Sequence, residues 1–406
     1  MKKIKTILLL LLVIMTFVSC NTNETKSPEE INTAKDISEV EKTETEPELR
    51  IETIRIKAFG DTMFHMPQVR YAKNPDGTYN FSESFSEVTE FIKDSDLSVA
   101  NFESTTNPNR EYHGFPMFNS PPAVFYYLKA AGFDVFSTMN NHTLDTGVEG
   151  IETTLDAISA ASLKSFGTSK VGEKKYEIFE TKDTKIGLLG YSESLNGLDS
   201  RLDTDEKKTM VNRLVEENIK SDIEELKGLN CDIILIYPHW GAEYQSQMTT
   251  AQRDLAHKML EWGADIIIGN HPHVVQPSEY YVTSDGRKCF IAYSCGNFLS
   301  NQRKETMDSE DTLEIPNSQR CEQNIAYEII IEKNFSENKS TIKDVIYHPM
   351  WVGLREGEKR RVVKSHLCTE FLEGGEKYGE VDDYTLSRIR DAYESTLETT
   401  KPLNIK

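Results

Sequence analysis

Residues 231–241, CDIILIYPHWG, and residues 264–273, ADIIIGNHPH, are two uninterrupted apolar runs that each carry histidine at their end. Between them, TTAQRDLAHKMLEWG (249–263) has the spacing of an amphipathic helix. A strand without polar alternation is buried on both faces, as in a sheet covered by helices. The strand–helix–strand reading therefore sets the fold class as α/β with layered packing.

The same alternation extends upstream. ETIRIKAFGD (52–61), LSVANFE (97–103) and DVFSTMNNH (134–142) read as strands. SESFSEVTEFIKD (82–94), SPPAVFYYLKAAGF (120–133, opened by Ser-Pro and stopped at Gly132) and GVEGIETTLDAISAASL (147–163) read as helices. YEIFETKDTKIGLLGYS (176–192) reads as a hairpin, and a long charged helix is predicted over 207–227. Downstream, KCFIAYSCGNF (288–298), CEQNIAYEIIIEK (321–333) and STIKDVIYHPMW (340–351) are strands in series, which complete the sheet in mixed fashion. The domain is predicted over 53–355, and 356–406 is a charged extension carrying a helix at 382–398.

The N-terminal MKKIKTILLLLLVIMTFVSC (1–20) has a lysine-rich start, a short apolar run and a small residue before Cys20, the pattern of a secretory signal over 1–19. Cysteine directly after that serine resembles a bacterial lipobox, which makes Cys20 the expected site of lipidation and the protein extracytoplasmic and lipid-anchored to the cell membrane. Residues 20–52 are polar and acidic and read as a tether. The formal charge of −20 excludes nucleic acid as a partner. It would also repel a polyanionic substrate unless metal ions or a local basic cleft reversed the field. Five further cysteines include no CxxC pair, and Cys231, Cys289 and Cys295, within or beside apolar runs, read as buried inert thiols.

In α/β sheets, ligands bind outside the carboxyl ends of strands. Those positions carry Asp61, then Asn101 and Glu103, then Asn141, His142 and Asp145. They also carry His239 with Glu243, then Asn270, His271 and His273, and finally Asn297 and Gln302. Singly, each has a structural explanation: Asp61 as a helix or turn cap, Asn141 as a loop residue, His239 as a packed neighbour of Trp240. Jointly they would meet at one sheet edge, and carboxylates with imidazoles and an amide oxygen suit one or two divalent ions such as Mn, Fe or Zn. Pro272 is expected to hold His271 extended, so that His271 and His273 project to one side.

Six ordered motifs, FGDTMFH (59–65), NFES (101–104), NNHTLDTG (140–147), YPHWGAEY (237–244), GNHPHVVQP (269–277) and YSCGNFLSNQ (293–302), closely resemble the CapA family of capsule and poly-γ-glutamate synthesis proteins. That family is similar to the calcineurin-like metallophosphoesterases. The resemblance implies an αββα sandwich of two mixed sheets flanked by helices. It further implies a membrane-anchored, metal-dependent hydrolase using a metal-activated water, or else a non-catalytic accessory of a capsule synthesis or export complex. The expected partners are an anionic polymer or a phosphoester. By motif position it implies Asp61, Glu103 (bridging), Asn141, His239, His271 and His273 as metal ligands, and His142 as the acid that protonates the leaving group. Where the phosphoesterases carry Asp-x-His, this chain has Asp61-Thr62-Met63, with His65 the nearest imidazole. His65, Asn101, Asp145, Glu243, Tyr244, Gln276 and Asn297 are then expected to support the ligands or touch substrate.

Overall fold

Two sheets face each other across an apolar layer, and helices cover both outer surfaces. The computed structural model describes residues 50–307 and 318–403, so the expected signal peptide, Cys20 and most of the expected tether lie outside the described residues. The first sheet centres on β1 (Ile51–Thr62), with β2 (Leu97–Phe102), β3 (Val135–Ser137) and β4 (Lys164–Phe166) following in parallel. On the other side of β1, β12 (Gln323–Asn334), β13 (Lys339–Arg355) and β14 (Val362–Leu367) run antiparallel in turn. Short β11 (Asn297–Leu299) also pairs with β1.

The second sheet has at its heart the two strands that set the fold class. There β6 (Thr184–Ser192), β7 (Ile233–His239), β8 (Ile266–Ile268) and β10 (Lys288–Ala292) are mutually parallel. The edges are β5 (Glu177–Thr181) on one side, and β9 (Ser278–Val282) with β15 (Pro402–Leu403) on the other. The expected hairpin is β5–β6, and its turn residues Lys182 and Asp183 both have positive φ (47° and 54°), the twist that two-residue hairpin turns require.

Ile54, Ile56, Val99 and Ile329 of the first sheet meet Ile186, Leu188, Leu235 and Phe290 of the second in a dry inner layer. Burying each such side chain contributes about 1.5–3 kcal/mol. Outside the first sheet pack α1 (Met66–Ala72), α2 (Thr89–Lys93), α3 (Val124–Ala131) and α4 (Gly147–Ala160). Between α4 and the next helices, α5 (Asp205–Lys208) precedes α6 (Glu216–Gly228), and α6 with α7 (Thr250–Trp262) covers the second sheet. The short α8 (Lys304–Met307) and the long α9 (Asp383–Thr400) complete the set, and Ile389 and Ala392 of α9 pack with Trp351 of β13.

Two predicted helices differ. The stretch 82–94 forms a 3₁₀ turn (Ser82–Ser84) and then α2, because Ser86 and Thr89 hydroxyls bond back to the carbonyls of Glu83 and Phe85 and compete with a continuous helix. Phe85, Val88 and Ile92 still reach the core. The predicted helix over 207–227 is divided into α5 and α6, since Met210 and Val211 are drawn into an apolar cluster with Met139, Leu144 and Ile151.

One contact decides how close the polar edge can be drawn. The Asp61 amide donates to the Gly296 carbonyl at 3.0 Å, and a Cβ on Gly60 would lie 1.9 Å from that same oxygen. Gly60→Ala is therefore expected to cost about 1–3 kcal/mol, read as a lowered urea midpoint. An unchanged midpoint would mean that β11 can move away from β1 without loss.

Candidate metal centre

Strand register brings the polar residues together before any side chain is considered. Asp61 on β1 is the lateral partner of Asn101 on β2 and of Asn297 on β11. Glu103 follows β2 with its amide on the Thr62 carbonyl at 3.1 Å. From the second sheet, His239 ends β7 and bridges to Asn270 just beyond β8. The centre thus lies where the carboxyl edges of both sheets meet.

Two ligand clusters share one residue. Glu103, His239 and His271 form the first, and Asp61, Glu103 and His273 the second. In the first, His239 Nε2 lies 3.0 Å from Asn141 Oδ1, 3.1 Å from His271 Nδ1 and 3.5 Å from Glu103 Oε1. In the second, His273 Nδ1 lies 3.3 Å from Asp61 Oδ2 and 3.1 Å from Asn297 Oδ1, while its Nε2 is 3.8 Å from Glu103 Oε1. Because Asn297 Oδ1 only accepts, it favours hydrogen on Nδ1 and leaves the Nε2 lone pair facing Glu103.

The electrostatics are those of a site built for a cation. Glu103 is fully buried, and among the described residues neither carboxylate oxygen has a hydrogen-bond partner. Burial, and then the charge of Asp61, push its carboxyl well above the ordinary range. Asp61 goes the other way: burial opposes its charge, but His273, Asn101 and the His271 amide (3.2 Å) together hold it low. Burial and neighbouring imidazoles push His239 well down and His271 down to about 4, keeping both in the neutral form that ligates metal. Burial also opposes the charge of His273, yet Asp61 raises it. A buried, unsatisfied carboxylate among neutral imidazoles is costly alone and well matched to a divalent ion.

The expected extended backbone at His-Pro-His is not what forms. His271 and His273 both have positive φ (98° and 58°), a strained conformation for non-glycine residues that costs on the order of 1–3 kcal/mol each. Tertiary hydrogen bonds override the local preference: the His271 amide donates to Asp61, and the Pro272 carbonyl accepts from Tyr244 at 2.8 Å. The two rings do meet, 6.1 Å apart between centroids, through a left-handed turn.

His142 stands beside the clusters. Its Nδ1 is 2.7 Å from Asp145 Oδ2, which also accepts the Phe118 amide at 2.5 Å. Asn101 donates to Asp61 at 2.8 Å and is itself held by Asn140 at 3.3 Å. Tyr244 OH accepts from Gln302, whose amide oxygen takes a hydrogen from Asn297, so these three support His273 as a chain. Glu243 is exposed at the rim and adds negative charge near Glu103 and His273. Gln276 lies apart and pins the 245–247 carbonyls. Met63 is buried, and His65 stays outside both clusters, its Nδ1 accepting from the Asn301 amide at 3.3 Å and burial pushing it down to about 3. Phe118, absent from the sequence reading, presents its ring to both His65 and His142 at centroid distances of 5.0 and 4.8 Å. Nothing in its loop, FPMFNS, signals that role.

Residues 55–302 match the family described as "Bacterial capsule synthesis protein PGA_cap". The chain is 27% identical over 259 residues to the capsule biosynthesis protein CapA of Bacillus anthracis, covering 62% of this chain and 61% of that one. It is 29% identical over 266 residues to the PGA biosynthesis protein CapA of Bacillus subtilis (strain 168), covering 62% and 67%. A probable polyglutamine synthesis accessory protein of Mycobacterium tuberculosis is 23% identical over 220 residues, with 51% and 56% covered. Among solved structures, the calcineurin-like phosphoesterase YfkN from Bacillus subtilis superposes with TM-score 0.46 at 16% identity, covering 86% of this chain and 99% of that one.

The Glu103 environment yields a signed expectation. A carboxyl raised in the folded state binds its proton more tightly there, so its contribution to stability declines as pH rises above about 4.5, the ordinary value. In chelator-treated protein, Glu103→Gln should therefore be as stable as the wild type at acid pH and more stable at neutral pH. Added Mn²⁺ should raise the thermal midpoint of the wild type and not that of Glu103→Gln. Equal responses of the two proteins to Mn²⁺ would remove Glu103 from the ligand set.

Proposed function

Because the chain belongs to the family of bacterial capsule synthesis proteins, we propose that it serves the synthesis or anchoring of a capsular polymer such as poly-γ-glutamate, as a metal-dependent hydrolase. The observation that carries the reading is Glu103, common to both ligand clusters and buried with both oxygens unpartnered. Glu103, Asn141, His239 and His271 would hold one ion, and Asp61, Glu103 and His273 a second. The mixture of carboxylate, amide oxygen and imidazole suits Mn, Fe or Zn. Bound there, such ions supply Lewis acidity and a water that is deprotonated near neutral pH. The second position has one donor fewer, since Met63 is buried where a histidine would ligate, so it is the weaker of the two.

The protein's own groups then have distinct tasks. Asp145, fixed by the Phe118 amide, locks the His142 ring through Nδ1 and leaves Nε2 to pass a proton to the leaving group. The bond would be a phosphoester, or an amide or anhydride of the polymer. Asp61 and Glu243 repel an anionic substrate until cations occupy the centre, so metal precedes substrate. Lipidation of Cys20, which would hold the protein on the outer face of the cell membrane, belongs to the proposal and rests on residues 1–20 alone.

Met63 also favours a second reading, in which the centre is structural or polymer-binding and the protein is an accessory of a synthesis or export complex. Hydrolysis of bis-p-nitrophenyl phosphate by the full chain loaded with Mn²⁺ or Zn²⁺ separates the two. His142→Ala is expected to lower kcat by about 10²–10⁴-fold at unchanged metal content, whereas metal-loaded wild type without turnover leaves only the accessory role. Cys20→Ala should lose both labelled palmitate and sedimentation with membranes; a variant that still sediments with them rules out the anchor.

A further inference from the structure

The strand end after β6 carries no residue of the six motifs. Ser192, the last residue of β6, is the lateral partner of His239 on β7, and residues 193–201 form a strap that starts beside it. The strap is bonded to both segments that bear residues of the first ligand cluster and its neighbours. On one side, the Glu193 amide donates to the His239 carbonyl at 3.0 Å, and the Glu193 carboxylate accepts from the Gly241 amide at 3.0 Å. On the other, Arg201 Nη1 donates to the carbonyls of Leu144 at 2.6 Å and Asp145 at 3.1 Å. Leu195, between these anchors, is buried with Met139, Leu144 and Met210.

Asn196 lies in this strap, exposed and with a φ of 52°, a conformation that asparagine tolerates better than most residues. Its amide donates to Ser194 Oγ at 3.0 Å, and the Ser192 hydroxyl donates to the Ser194 carbonyl at 2.7 Å, so the turn is stitched by its own side chains. Asn196 Oδ1 accepts from Asn141 Nδ2 at 3.3 Å, and among the described residues it is the one acceptor that Asn141 Nδ2 has. The other end of that amide, Asn141 Oδ1, lies 3.0 Å from His239 Nε2, on the side of the Glu103–His239–His271 cluster. A carboxamide has two ends of nearly the same shape, and only the oxygen has lone pairs to offer a cation. Turned over, Asn141 would present N–H groups to the ion. An acceptor behind the NH₂ group distinguishes the two orientations, and Asn196 supplies it.

We propose that Asn196 is a positioning residue of the metal centre: by accepting from Asn141 Nδ2 it holds Asn141 Oδ1 toward the first ion position. The inference rests on the metal reading above and deepens it, because it names a residue outside the motifs on which that position depends. The effect of Asn196 is carried through Asn141 alone.

Titration of Mn²⁺ into the chelator-treated full chain, with free Mn²⁺ read by electron paramagnetic resonance, tests this. Asn196→Gly removes the acceptor and places there a residue that takes the φ of 52° without strain. It is expected to raise the Mn²⁺ dissociation constant roughly tenfold. In the Asn141→Ala background the same change should have no further effect, since a residue that acts through another has nothing left to act on. A turn with a merely structural role gives a lowered thermal midpoint of chelator-treated Asn196→Gly and an unchanged Mn²⁺ affinity, which overturns the proposal. Equal weakening in both backgrounds overturns it as well. A wild type that binds no Mn²⁺ overturns this inference together with the metal reading. A wild type that binds Mn²⁺ and shows the coupling, yet does not hydrolyse bis-p-nitrophenyl phosphate, rejects the catalytic reading and sustains this one.

Discussion

A buried carboxylate without a hydrogen-bond partner among the described residues organises this protein. Glu103 is fully buried at the edge where two sheets meet, within reach of His239 and His273 and beside Asp61. Removing such a group from water is a large cost, which a counter-charge or a held proton recovers. The surroundings keep other partners off Glu103. Asp61 is occupied by Asn101 and the His271 amide, His273 is steadied by Asn297, and His142 is turned to Asp145. Among the described residues, no arginine or lysine hydrogen-bonds to or pairs with Asp61 or Glu103.

The strain at His271 and His273 belongs to the same constraint. Two non-glycine residues with positive φ in a three-residue stretch are held by bonds from outside it. The dry inner layer makes that possible, since interdigitated side chains such as Leu235 and Phe290 keep the strand ends from relaxing apart. Fold stability is thus converted into positional accuracy at the centre.

Much of this was legible in the chain itself. The runs at 231–241 and 264–273 are apolar throughout, so their burial and parallel pairing followed from composition, and their polar ends marked the edge where ligands gather. The residues implied as ligands by the family motifs lie within one small volume. Less legible was whatever depends on distant partners. The rule for residues before proline predicted an extended His271, and a contact with Asp61, 210 positions away, reversed it. The helical period over 207–227 was interrupted because Met210 and Val211 found an apolar cluster built by other segments. Phe118 acquires its place against two histidines only through the fold of its loop.

The family match ends at residue 302, and the residues lining a cavity between Arg303, β13 and α9 all come after it, from Arg303 to Arg388. The metal centre belongs to the shared portion, whereas the cavity depends on β13 and α9, which the match does not reach. A relative that shares residues 55–302 need not share α9 or the end of β13, so the stretch after residue 302 is where such chains can differ without disturbing the centre.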